Sequence, residues 1–388
     1  MRIFVLGAGS TGSLLAQVLD RQGHQVWCGD RDPERARRFL GKGSTIPVAE
    51  ANARNLRAIV RAGRECQLLV NASPAVYNEI ILRAALRLRA HYLDMAAHLT
   101  RHPFKAEQFR FEKRFREKNR AAVITAGVAP GLTNLLVKRS AELLDKVESA
   151  HVRLYEHSES DDPFSQWSPE VSFDEFTSRP RIYRGGRFEL GQRFGEREHF
   201  RFPAPIGEVP VYLAAQDEVG TLPHLVPMRN LDVKIGGGEI ETLRRWYRRG
   251  KLSKSRGMKR KHFPETHTPR MVKKLFRRGA LENARFAVAV LVRGTKGEEH
   301  RLLRWDVAFP SLFQIHHQGI STSPIAWASA QIAALFIRHF PSDDAGVFAP
   351  ESLAAENRQA ILADAKTRGI RIRMKVSRLK REEEEEEY

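Results

Sequence analysis

Cysteine is nearly missing from this chain: Cys28 and Cys66 are the two copies among 388 residues. Two thiols cannot build a disulfide framework. Both lie in apolar stretches, so they read as buried thiols of a reducing compartment. No C-x-x-C pair occurs, and the adjacent His316 and His317 lack ligand spacing, so no metal site is expected. Long apolar runs are missing too. None approaches the roughly 20 residues that cross a bilayer, so no membrane partner is expected. The apolar start at residues 1–6 ends in a glycine turn and not in a signal-peptide cleavage site. The chain is therefore expected to start at residue 1 in its mature form and to act in the cytoplasm. A G-x-S-x-G elbow and a P-loop lysine pattern are both absent, which argues against hydrolase and kinase readings.

Acidic residues are scarce in one place. Residues 244–278 hold 15 Lys and Arg against the single acid Glu265, within a chain of formal net charge +19. Trp246, Tyr247, Phe263 and Phe276 are interleaved with these cations. Basic residues mixed with aromatics can track a phosphate backbone, so nucleic acid is a conceivable partner here. A solvated basic helix explains the same pattern. A second basic stretch, 366–381, runs directly into six glutamates at 382–387, the signature of a charged tail.

What is present in quantity is apolar sequence, 42% of residues, arranged in short runs. The spacing predicts strands at 2–6, 25–29, 45–49, 68–71, 91–94 and 122–125. Helices are predicted at 10–22, from Asp32 as N-cap with Pro33 at the first position, at 76–88 and at 104–118. Strands alternating with helices imply a doubly wound parallel sheet. After about residue 144 the pattern changes. An alternating strand is predicted at 147–156, a loop at 161–180, a strand at 209–213, a break at 236–238, and a hairpin from 286–292 and 302–309 around Gly294 to Gly297. The expected organisation is α/β: a Rossmann domain at 1–140, an α+β substrate and dimerisation domain with a mixed sheet at 141–323, helices at about 324–365 returning to the first domain, and a charged tail at 366–388.

The central motif is Gly7-Ala8-Gly9-Ser10-Thr11-Gly12, set between a predicted strand and a predicted helix. In that context Gly7 serves a tight turn, Gly9 a close approach to a pyrophosphate, and Gly12 the packing of helix on strand. The amides of Ser10, Thr11 and Gly12 would favour an anion. Asp30 follows at the end of the second strand, where an acid binds adenosine ribose hydroxyls. Its charge favours NAD, while the neighbouring Arg31 could accept the 2′-phosphate of NADP. At the next strand ends, Asn71 and Ala72 would border the nicotinamide ribose, and Gly127, Pro130 and Gly131 would pass close to the nicotinamide. Asp94 and His98 are the polar pair best placed for proton transfer.

Four stretches together resemble the saccharopine dehydrogenase (saccharopine reductase) family: LGAGSTG at 6–12; LLVNASP at 68–74 with HYLDMA at 91–96; TAGVAPGLTN at 125–134; and, in the second half, QDEVGTLP at 216–223, the hairpin around Gly294, STSPIA at 321–326 and GVFAPE at 346–351. The resemblance implies a Rossmann domain joined to an α+β domain, an active site in the cleft between them, and a nicotinamide cofactor. It implies hydride transfer at a C–N bond of an amino-acid-like substrate, as in forming or splitting saccharopine, or in making a polyamine precursor such as carboxynorspermidine. A homodimer is expected. Glu218 and Thr221 are candidates for holding a polar substrate, and Arg153, Arg179 or Arg229 for clamping its carboxylates. A non-catalytic, NAD-sensing or nucleic-acid-associated protein is the alternative class.

Overall fold

The computed structural model describes residues 1–161, 166, 178–250 and 266–379. Two sheets organise the chain. The first has seven strands in the order β15-β6-β5-β4-β1-β2-β3. These are β1 (Arg2–Leu6), β2 (Gln25–Asp30), β3 (Val48–Glu50), β4 (Leu68–Asn71), β5 (His91–Asp94), β6 (Ala121–Val123) and β15 (Gly346–Phe348). Every pairing is parallel. Helices cover both faces, which is why β1 reads as an unbroken apolar run. Ile3 and Val5 pack into one core, Phe4 and Leu6 into the other. Each fully buried side chain of this kind contributes roughly 1.5–3 kcal/mol.

The expected elements are found with local shifts. Helix α1 spans Ser10–Arg21, and α2 spans Pro33–Leu40 with Asp32 accepting a capping hydrogen bond from the Arg35 amide. The third strand begins later than the 45–49 expected. The predicted helix at 104–118 is a short 3-10 turn, Glu107–Phe111, followed by one brief helix, Glu112–Glu117. Its start is diverted because the Glu107 carboxylate accepts the amides of Thr100 and Arg101 and so ties the chain into a loop. Thr125 lies outside the strand, in a left-handed conformation with φ 56°. The seventh strand, Gly346–Phe348, comes from far along the chain and pairs with β6.

The second sheet has nine strands and is mixed. Its main path runs β10 (Glu198–Phe202), β11 (Gly207–Leu213), β12, β7, β13, β14 and β16, with β8 (Arg181–Arg184) paired to β12 and β9 (Arg187–Leu190) paired to β8. At its centre β7 (Lys146–Ser160) pairs parallel with β12 (Asn230–Gly236) and antiparallel with β13 (Leu281–Lys296). The hairpin from β13 to β14 (Glu299–Ala308) turns at Gly297, φ 59°. Residues 371–378, expected within a charged tail, instead form the edge strand β16 (Arg371–Arg378) on β14. The reason is cross-strand charge matching: Arg373 sits opposite Asp306, and Arg378 reaches Glu299 at 2.8 Å. The acidic run 382–387 lies outside the described residues, as do Phe263, Glu265 and most of the loop predicted at 161–180.

The chain then returns to the first sheet. Pro324–Arg338 is a helix buried along almost its whole length, capped by Ser323, and it packs on α1. The Oγ of Ser10 in the glycine loop lies 2.9 Å from the Oγ1 of Thr322. In the basic segment, Gly238–Arg248 and Pro269–Arg277 are amphipathic helices with cations outward. Trp246 and Tyr247 pack against the core, and the Phe276 ring stacks on His316 at 4.5 Å. These aromatics are partly buried against the protein. No helix of the described residues is long and apolar enough to cross a membrane.

Candidate active site

The strand order turns around at β1, with β2 and β3 on one side and β4 to β6 on the other. In such sheets a dinucleotide binds beyond the carboxyl ends of the two strands flanking the turnaround. Here those ends are the glycine loop after β1 and Asn71 to Ser73 after β4. They touch: a Cβ on Gly7, φ +98°, would lie 2.7 Å from the Ala72 carbonyl carbon. A Cβ on Gly12 would lie 1.9 Å from the Gly7 oxygen. Gly9 is different, since a Cβ there would meet nothing within 4 Å. Gly7 and Gly12 are therefore small because the fold demands it. The space over Gly9 is open, as the close approach of a pyrophosphate would require. Gly9 is also the N-cap of α1 and supplies no side-chain acceptor, which leaves the first turn to an anion.

Asp30 ends β2 beside the glycine loop. Its Oδ2 accepts the Ala8 amide at 2.9 Å and its Oδ1 accepts the Asp32 amide at 3.0 Å. Each oxygen keeps a second lone pair for a ribose hydroxyl. Arg31 beside it is exposed. Cys28, in the same strand, is buried, and desolvation pushes its thiol up to about 12, as it does for Cys66. Both cysteines are inert by this measure.

Beyond β4 and β5 the polar residues form one buried chain. Asn71 donates to the Asn78 Oδ1 at 2.7 Å and accepts from both the amide and hydroxyl of Ser73. Its side chain is thus spent on an Asx turn and on α4 (Asn78–Leu88). Asp94 is 1% exposed. It accepts from the Tyr92 hydroxyl at 2.9 Å, the Gln108 amide at 3.2 Å and the Thr125 amide at 2.8 Å. Burial pushes the Asp94 carboxyl up to about 7, against the pull of those donors. The structure does not pair it with the His98 ring. Gln108 stands between them, accepting the His98 backbone amide at 3.1 Å. The imidazole instead reaches Thr100 at 2.8 Å and Glu107 at 3.7 Å. His98, Glu107 and Glu79 place ligand-type atoms within 4.8 Å of one another. The Arg110 guanidinium sits in the same corner, 3.1 Å from Glu79 and 3.8 Å from Glu107.

Three of the motifs noted in the sequence converge on one buried point. The hub is Asn134: its Oδ1 accepts the Gly131 amide, and its amide donates to Thr221 at 2.9 Å and to both Glu351 oxygens at 3.2 Å. Beside it, Thr133 donates to Glu218 at 3.0 Å. Desolvation pushes Glu218 up to about 7 and raises Glu351 as well. All five side chains are 0–2% exposed. Glu218 and Thr221 therefore tie the segment between the strands Gly207–Leu213 and Asn230–Gly236 to the Gly127–Gly131 loop, and both are buried there. The carboxylate clamps are also placed elsewhere. Arg153 is buried between Asp232 at 2.5 Å and Glu198 at 2.7 Å, and Arg179 and Arg229 are on the surface. The sequence reading did not identify Gln108, Tyr92, Thr322 or Glu351 as partners. The motifs GVFAPE and STSPIA were the available signal for the last two.

The saccharopine dehydrogenase NADP binding domain family matches residues 3–126. Over these residues the chain resembles that family's dinucleotide-binding domain. The match identifies it as the nicotinamide-cofactor domain of an oxidoreductase, with NAD(P) as the cofactor, and it covers the glycine loop, Asp30, Asn71 and Asp94. No curated protein matches the chain. Among solved structures, apo saccharopine dehydrogenase (L-Glu forming) from Saccharomyces cerevisiae is similar at TM-score 0.69 and 13% identity, over 97% of this chain and 99% of that one. A probable dehydrogenase from Thermotoga maritima is similar at TM-score 0.45 and 10% identity, over 97% and 98%. The yeast likeness shows that the saccharopine dehydrogenase fold extends through the second sheet.

Proposed function

We propose that this protein transfers hydride between NAD(P) and a C–N bond of an amino-acid-derived secondary amine or imine. The observation that carries the cofactor half is the open space over Gly9, between Gly7 and Gly12 where no side chain fits, in a loop braced by Asp30. The C–N chemistry is supported by the likeness of the dinucleotide domain and of the whole fold to saccharopine dehydrogenase.

The nicotinamide, when bound, supplies the hydride chemistry. The chain's own residues supply binding and orientation. The loop from Gly7 to Gly12 would hold the pyrophosphate and Asp30 the ribose, which favours NAD, while Arg31 could meet a 2′-phosphate. Asp94 acts as a positioning residue: through the Thr125 amide it fixes the segment leading to Gly127, Pro130 and Gly131 beneath the nicotinamide. His98, in the loop that follows β5, is the residue assigned to proton exchange with the substrate nitrogen or water. A polyamine-precursor dehydrogenase is the second reading, implied by the same resemblance. The reading carries a cytoplasmic homodimer with it. Its test is a panel of amino acid, keto acid and polyamine pairs assayed with both nucleotides in both directions. Turnover with one amine–carbonyl pair supports it, and absence of turnover with every pair rejects it.

A further inference from the structure

The two faces of the second sheet differ. Along β13, Val288, Val290 and Val292 enter the core shared with the helix Pro324–Arg338, while Ala287 and Ala289 point the other way. On β14, Trp305 and Val307 enter that core, so Asp306 and Ala308 share the outer face with their ladder partners Ala289 and Ala287. The β10–β11 hairpin curls over this outer face. Phe202 packs on Tyr155 at 5.7 Å, and Arg304 donates to the Arg201 carbonyl at 2.7 Å. Between the hairpin turn at 203–206 and the edge strand β16 lies a cavity of about 430 Å³. Small-molecule sites occupy roughly 300–1,000 Å³. A second cavity of about 460 Å³ adjoins it and shares Phe313, Gln314 and Arg371 as walls.

The walls are mainly apolar, with Pro205, Ile206, Ala287, Ala308 and Phe309 around Phe313, which is 49% exposed. The charges at the rim are unbalanced. Asp306, the acid of the lining, is held by Arg304 at 2.9 Å. Arg373 lies opposite Asp306 and Arg371 opposite Ala308, and neither guanidinium has an ion-pair partner among the described residues. Arg285 keeps a loose pair with Glu159 at 3.7 Å. The Asn283 Oδ1 accepts the Ala284 and Phe313 amides at 3.0 and 3.2 Å, so its carboxamide has N–H donors left to offer. Three guanidiniums and an amide donor over an apolar floor match an anion carried on an apolar body. A guanidinium takes a carboxylate through two parallel hydrogen bonds. A cation would be repelled, and a small polar anion would leave the floor uncovered.

The geometry points to a second binding site, in which this groove takes an apolar carboxylate. The glycine loop meets Thr322 on the other side of the sheet, so the site stands apart from the nucleotide and from the oxidoreductase reading. The test is calorimetric titration of the full chain with decanoate. Acetate and decyltrimethylammonium serve as controls, and NADH is titrated into the same preparation. Saturable decanoate binding, with neither control binding, is expected in the wild type. Arg371→Gln removes one charged partner of the carboxylate and should weaken decanoate about tenfold. Ala308→Phe fills the floor and should abolish binding, and both variants should bind NADH as wild type does. Decanoate that fails to bind folded wild type overturns the site, as it would if a second copy of the chain covered this face. Equal binding of decyltrimethylammonium also overturns it, because adsorption would then owe nothing to the arginines. So does decanoate affinity unchanged in both variants. Loss of NADH binding alone strikes the functional reading and leaves this site standing. The contrast among the three ligands on unaltered protein decides the matter even if Ala308→Phe does not fold.

Discussion

The Ala8 amide donates to the Asp30 carboxylate at 2.9 Å. One side chain at the end of β2 thus holds the glycine loop after β1 and stands where the adenosine ribose is expected. Asp30→Ala removes both functions. A hydrogen bond to a charged group contributes about 1.5–3 kcal/mol, so NADH affinity is predicted to fall roughly tenfold to a hundredfold. NADPH affinity should fall less, because the lost charge also repelled the 2′-phosphate. Fluorescence titration of both nucleotides checks this. Equal losses would remove the stated role of Asp30 in selecting the nucleotide.

Gly9 and Gly12 make a contrasting pair. The added carbon of Gly9→Ala enters open space, so the fold should keep its thermal midpoint while nucleotide affinity drops. The added carbon of Gly12→Ala meets the Gly7 oxygen at 1.9 Å. Overpacking of that kind costs about 1–3 kcal/mol, so both midpoint and affinity should fall. Calorimetric unfolding beside nucleotide titration separates the two. A Gly9→Ala protein that binds nucleotide normally would show that the space has another use.

Glu218 predicts a pH dependence. Its carboxyl is pushed from 4.5 to about 7 by burial, so the folded chain holds a proton that the unfolded chain has lost between those values. The associated stability is complete below about 4.5 and is lost as pH rises through 7. The amount is on the order of 3 kcal/mol. Glu218→Gln keeps an acceptor for Thr133 and never ionises. The variant should match wild type near pH 5 and exceed it in denaturant midpoint at pH 8. A constant difference across that range contradicts the assignment.

Asn134→Ala should be costly, because it strips donors from Glu351 and Thr221 and an acceptor from the Gly131 amide, all buried. Leaving such groups unsatisfied costs about 1–3 kcal/mol each, so a loss of at least 2 kcal/mol in urea denaturation is expected. A shift below 0.5 kcal/mol, roughly the effect of an ordinary surface change, would mean that the cluster does not fasten the two domains.

Much of the first domain was legible because its signals are local. The run from Arg2 to Leu6, the glycine spacing and the Asp32-Pro33 cap each report on residues within one turn or strand. The strand 91–94 was found at its true bounds for the same reason. The helix expected at 104–118 failed because a single long-range preference, Glu107 for the Thr100 and Arg101 amides, overrode a helical composition. The strand Gly346–Phe348 is three residues long and gains its partner 225 positions earlier, at Ala121, which no local pattern encodes. The site divides in the same way. The positions of Gly7, Gly9, Gly12 and Asp30 followed from spacing. Whether Asp94, Glu218 and Thr221 face a substrate depended on burial, and burial turned them inward.

The most direct test of the central claim is calorimetric titration of the wild-type protein with NADH and NADPH, without substrate. Saturable binding of at least one nucleotide at micromolar concentration, abolished by a bulky Gly9→Trp that fills the open space without lowering the unfolding midpoint, is the predicted result. Heat-silent titrations with both nucleotides on folded protein would contradict it.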